Sequence, residues 1–203
     1  MTKKIALLLA ALLLLCSCGK KTGTAIDDGS RKVSLEDVEE LRRIVSCTYF
    51  SYIWNSTEDD PGHGAIELIS DSQKAAFVVF YLTYRGNVNE LPDGSTQLPT
   101  DRATSILEQK LGLQFSDEFL QNSGTQARLT SDYYGRDWDS IAYLDFFAQE
   151  DTDVFITGIL CEIGNFGLGL PRDFEASFQY INGSLQLLKL NVDYTSQELS
   201  ESF

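Results

Sequence analysis

One histidine, His63, serves a chain of 203 residues. That scarcity excludes multi-histidine metal centres and leaves imidazole acid–base chemistry to a single loop residue between Gly62 and Gly64. Basic residues are few as well: 16 Lys and Arg stand against 30 Asp and Glu, a formal net charge of −14. Phosphate backbones and anionic headgroups attract basic surfaces, so nucleic acid is not an expected partner. The chain has no G-x-S-x-G elbow, and neither Cys47 nor Cys161 stands in a nucleophile context. Gly164 to Gly169 is rich in glycine but runs into Leu170-Pro171 and a strand, not into a helix whose N-terminus would hold phosphate. The acids Asp132, Asp137, Asp139, Asp145, Glu150, Asp151 and Asp153 lack the spacing and central glycine of a calcium loop and read as solvated turns. No metal and no cofactor is implied.

The apolar run Ile5 to Leu15 has 11 residues, which reach about 16 Å as a helix against a hydrocarbon core of about 30 Å. It is too short to span a membrane. Preceded by Lys3 and Lys4 and closed by Leu15-Cys16-Ser17-Cys18-Gly19, it follows the grammar of a secretory signal. The stretch resembles the lipobox of bacterial lipoproteins: Leu, a tolerant position, a small residue, then the modified cysteine. The resemblance implies that residues 1–17 are removed and that Cys18 carries a diacylglycerol and often a further acyl chain such as palmitate. It places the chain at the cell membrane as a lipid-anchored extracytoplasmic component of the cell envelope. Two or more acyl chains hold a protein stably, since each buried CH₂ contributes about 0.8 kcal/mol.

Removing 17 of 203 residues takes away two lysines and no acid, leaving 186 residues and a net charge of −16. That length suits one domain. Residues 18–33, rich in Gly, Lys, Thr, Ser and Asp, read as a flexible tether, and residues 34–203 as the globular domain. Cys47 and Cys161 remain, either as an exported disulfide or as two free thiols.

Ser34 with Asp37 caps a first helix, in which Leu35, Val38, Leu41, Ile44 and Val45 share one face. Whether it runs on through Cys47 to Trp54 is open, because those residues also suit a strand. Ser70 and Gln73 form a second capping box, so Asp71 to Arg85 is expected to be a buried helix despite the strand-like Phe77 to Tyr81. Asn87 to Leu98 reads as a polar loop. Thr100 is expected to cap a helix ended by Gly112, and Ser116 a short one stapled by Phe115 and Leu120. After Gly124 the period becomes two, with strands expected at Ser140 to Phe147, Val154 to Ile163, Asp173 to Tyr180 and Leu185 to Tyr194.

For the last pair, an unbroken two-residue turn at Asn182-Gly183 would set Ala176 opposite Lys189 and put the apolar faces on opposite sides. A three-residue loop, Ile181 to Gly183, pairing Ala176 with Leu188 and Phe174 with Leu190, is therefore expected. Helices first and a meander last make an α+β domain, N-terminal helices packed on a C-terminal antiparallel sheet. In element order this is similar to the cystatin/NTF2-like superfold.

Tyr133, Tyr134 and Trp138, with Tyr49, Tyr52 and Trp54 earlier, are either core or a stacking platform for sugar or peptide. With no catalytic grammar, the expected role is non-enzymatic binding to an envelope protein or glycan, through the sheet face or the Tyr133 to Trp138 loop. Two other readings share the anchor: a cell-envelope hydrolase using carboxylates such as Asp137 or Asp139, and a small solute-binding lipoprotein.

Overall fold

The first capping signal is met in full. Asp37 N–H donates to Ser34 Oγ at 3.2 Å, and Ser34 N–H donates back to Asp37 Oδ2 at 2.8 Å. The helix it opens, α1 (Leu35–Trp54), does not stop at Val45. Thr48 and Ser51, buried in its second half, donate their hydroxyls to the carbonyls of Ile44 and Cys47, each at 2.7 Å, and so are themselves satisfied. The computed structural model describes residues 32–54, 63–84, 95–129, 139–164, 167–168 and 171–194. All of them belong to one compact unit, Arg31–Phe203.

α2 (Asp71–Thr83) begins at the Ser70/Gln73 capping box, and every residue from Ala75 to Leu82 is buried. A helix apolar all round needs no stripe, which is why Phe77 to Tyr81 reads locally like a strand. α3 (Thr100–Leu111) has Pro99, not Thr100, at its N-cap, a correction to the expected cap. Pro99 ends β2 (Thr96–Pro99), which pairs with β3 (Gln126–Leu129) where a polar loop was expected to run to Leu98. Pairing holds Thr100 inside the first turn, its N–H donating to Thr125 O at 3.1 Å. Gly112 closes the helix at φ 65°, the left-handed conformation glycine adopts freely. α4 (Asp117–Ser123) is capped by Ser116, as expected.

Ser116 is itself held by Asp71 at the start of α2, whose carboxylate accepts its hydroxyl and, at 3.1 Å, its N–H. Burial pushes the Asp71 carboxyl up, but the Ser116 donors and the Lys74 charge outweigh it and hold it below its ordinary value. A depressed carboxyl stabilises above its unfolded pKa of about 3.9 and stops doing so as pH falls through the folded value. Asp71→Asn is thus expected to cost about 1 kcal/mol at pH 7, an amount kept low because the site is partly exposed. The deficit should stay constant down to about pH 5 and shrink below about pH 4, as read from urea midpoints against pH.

The main sheet is antiparallel, with β1 (Gly64–Ala65), β8 (Ser184–Tyr194), β7 (Arg172–Ile181), β5 (Asp153–Gly164) and β4 (Asp139–Glu150) side by side; β6 (Gly167–Leu168) also pairs with β5. Alternate residues face the helices: Val154, Ile156 and Leu160 on β5, Phe174, Ala176 and Phe178 on β7, and Leu190 and Val192 on β8, all buried. β4 is the outermost strand on its side, and α1 is tied to it. Arg42 Nε donates to Ala142 O at 2.8 Å, and Ser46 Oγ accepts from Ala142 N–H at 3.0 Å.

The expected β7–β8 register is corrected. Asn182 and Gly183, at φ 51° and 78°, form a two-residue turn with Ile181 opposite Ser184. The conflict of faces is resolved farther along, by a bulge at Leu188 opposite Ser177 and Phe178. Ala176 therefore pairs with Leu190 and Phe174 with Val192, where Leu188 and Leu190 were expected. The physical reason lies in β8 itself: Leu185 and Leu187 are apolar in one phase, Leu190 and Val192 in the other, and one extra residue lets both phases face the core.

Candidate functional site: the outer face of the sheet

The helices cover one side of the sheet, and the strand registers map the other side residue by residue. One row reads Ala148, Phe155, Ser177, Lys189 across β4, β5, β7 and β8; the next reads Phe146, Thr157, Glu175, Asn191; the third reads Tyr143, Ile159, Asp173, Asp193. The β4 and β5 half is apolar and the β7 and β8 half is polar and acidic. Tyr143 is 49% exposed, Phe146 55% and Phe155 40%, and Leu188, turned out by the bulge, is 55% exposed. Aromatic side chains left in water on adjacent strands are not explained by folding, since each would stabilise the domain more if buried. Ala148, Phe155, Ser177 and Leu188 help line an open groove of about 650 Å³ at the hairpin end of this face.

Local sequence makes the face. β5 is apolar in both phases, with Val154, Ile156 and Leu160 inward and Phe155 and Ile159 outward. β4 carries Asp145 as the extra residue of a bulge between Leu144 and Phe146. The bulge shifts the phase of the strand, so that Tyr143 and Phe146 both point outward although three positions apart.

A second cluster lies on the helix side. Glu40 on α1 accepts from Lys110 Nζ on α3 at 2.7 Å and from the Tyr81 hydroxyl on α2, with Arg43 at 3.6 Å. Lys110 also donates to Ser184 Oγ at 3.1 Å. Activation of a serine needs a neutral amine beside it, whereas Lys110 is ion-paired to Glu40. The cluster is a tie between three helices and the β7–β8 turn, not a nucleophile and its base.

No family model, no curated protein and no solved structure matches the chain. The site therefore stands on its own geometry. Of the residues singled out from sequence, Cys18, Tyr133, Tyr134, Asp137 and Trp138 lie outside the described residues, as do the side chains of Trp54 and Asp139. Tyr49 is core and Tyr52 half-buried, and His63 is exposed on the loop before β1. Among the described residues no group of three or more His, Cys, Asp or Glu could hold a metal ion, and no helix is long and apolar enough to cross a membrane. Sequence reasoning missed Tyr143, Phe146, Phe155 and Leu188. The available signal was β5, whose unbroken apolar run from Val154 to Ile156 and from Gly158 to Cys161 is that of a strand with two apolar faces.

Cys47 and Cys161 form no disulfide with each other. Cys47 is buried on α1, whereas Cys161 follows the core residue Leu160 on β5 and so points to the opposite face of the sheet. Burial also pushes the Cys161 thiol up. Alkylation of the native protein at pH 8 is expected to modify Cys161 alone, more slowly than a free thiol because less thiolate is present. Cys47 should react only after unfolding. Mass spectrometry that found neither thiol reactive in unreduced, denatured protein would instead indicate a bridge.

Proposed function

We propose that this chain is a lipid-anchored extracytoplasmic bacterial lipoprotein, held through Cys18, whose domain is a non-enzymatic interaction module of the cell envelope. The observation that supports docking is the outward trio Tyr143, Phe146 and Phe155 on a sheet face that no described helix covers. Anchoring is supported by Lys3-Lys4, the apolar run to Leu15 and Ser17-Cys18. The acidity of the chain works against electrostatic attachment to anionic lipid, so the acyl groups supply the hold on the membrane.

Two readouts test the two halves. Metabolically labelled fatty acid should appear on the full-length protein and vanish from Cys18→Ala, which should leave the detergent phase for the aqueous one. A photo-crosslinking phenylalanine analogue in place of Phe146 should give a discrete adduct in native membranes, and the same analogue in place of Asp101, exposed on α3, should not. Equal adducts at both positions, or none at Phe146, would sink the docking role.

A further inference from the structure

We propose that the outer face takes a short cationic polypeptide segment whose apolar side chains sit on Phe146 and Phe155 while its lysines or arginines lie over β7. The inference rests on the docking role above and adds the chemistry of the occupant. The aromatic half of the face is framed by exposed carboxylates: Asp173 and Glu175 on β7, Asp193 on β8, Asp145 at the β4 bulge, and Glu150 and Asp153 at the hairpin end. Asp173 and Asp193 stand directly opposite one another in the β7–β8 pair. A cation laid over β7 meets Asp173 and Glu175, two exposed carboxylates on one face of the same strand. Among the described residues the cations on this face are fewer. Lys189 stands opposite Ser177, and Arg42 lies at the β4 edge, over the Tyr143 ring at 5.9 Å and bonded to Glu39 at 2.9 Å.

Size narrows the occupant further. Three strand spacings of about 4.8 Å and two row spacings of about 6.8 Å put the mapped positions within roughly 14 by 14 Å, on the order of 200 Å² of sheet plane. A stable dimer buries about 800 Å² on each partner, so the face is small for a second copy, which would also set acids against acids. Four to six extended residues, at about 3.3 Å each, cross it. Apolar and cationic side chains alternating along such a segment, or carried on its two edges, meet the aromatic and acidic halves together.

The test uses the full-length protein in phosphatidylcholine nanodiscs and a fluorescent ten-residue peptide of alternating lysine and phenylalanine. A matching peptide with glutamate for lysine and a soluble peptidoglycan fragment serve as the other probes. The lysine peptide is expected to bind at least about tenfold more tightly than either. Asp173→Asn with Glu175→Gln should weaken it about tenfold, as should Phe146→Ser with Phe155→Ser. Asp101→Asn with Glu118→Gln, the same change of charge on α3 and α4, should leave it unchanged. Equal weakening by the helix pair would reduce the effect to net charge and overturn the inference, as would tighter binding of the glycan. Should the phenylalanine pair lower the melting temperature, the β7 acid pair still decides. If the crosslinker at Phe146 still captures its partner when Asp173 and Glu175 are neutralised, the docking role survives and the cationic occupant falls. Absence of capture at Phe146 removes both.

Discussion

Gly158→Ala is expected to destabilise the domain by about 3 kcal/mol or more. Gly158 sits on β5 opposite Leu144 of β4 and Phe174 of β7. A Cβ there would lie 1.9 Å from the Tyr143 carbonyl oxygen and 2.9 Å from a Phe174 ring carbon. The ring could shift, but the carbonyl belongs to the backbone of β4 beside its bulge, and only movement of the strand would clear it. Retreat of β4 would break its pairing with β5 and loosen the Ala142 bonds from α1. Chemical denaturation should show a lowered midpoint, and loss of Arg42 and Ser46 contacts should speed amide exchange along β4. A midpoint shift worth less than about 1 kcal/mol would mean that the bulge relaxes more easily than the contact implies.

The second large effect is expected at Glu40. Its side chain is 12% exposed and that of Lys110 is 13% exposed, so the pair is close to dry. Glu40→Ala leaves the Lys110 ammonium facing Ser184 and the Tyr81 ring, 5.7 Å to its centroid, with no carboxylate. Removing one member of such a pair costs about 3 kcal/mol, mostly the penalty of stranding the other charge. Replacing both, Glu40→Leu with Lys110→Met, should recover more than half of that loss, because apolar groups of like volume need no partner. If the double variant is as unstable as the single, the Tyr81 hydroxyl and Arg43 carry more of the cluster than the Lys110 pair does.

Much of the scaffold was legible locally. Ser34, Ser70, Ser116 and Gly112 act within a few residues of themselves, and each marks the helix end it announces. The four long strands begin and end within three residues of where they were expected. What needed the fold was phase. Two bulges, at Asp145 and at Leu188, each move an apolar set from one face to the other; a change of apolar phase signals that a residue is extra but does not say whether the turn or the strand absorbs it. The outer face was hidden for that reason: Tyr143 and Phe146 look like opposite sides of β4 until the bulge is known. The reach of α1 beyond Val45 also depended on tertiary burial, which favours a helix where β-branched and aromatic residues taken alone do not.

The two bonds from α1 to Ala142 have a bearing on how the protein behaves in a crowd. A twelve-residue edge strand with exposed Phe146 and Phe147 offers its unpaired backbone as a template for like chains, the usual beginning of aggregation. At Ala142 both backbone groups are already taken, by an arginine and a serine from the domain's own helix. A foreign strand seeking that register meets a charged side chain where it would have to lie. Two copies of the chain are thereby hindered from zipping together across Ala142 of β4.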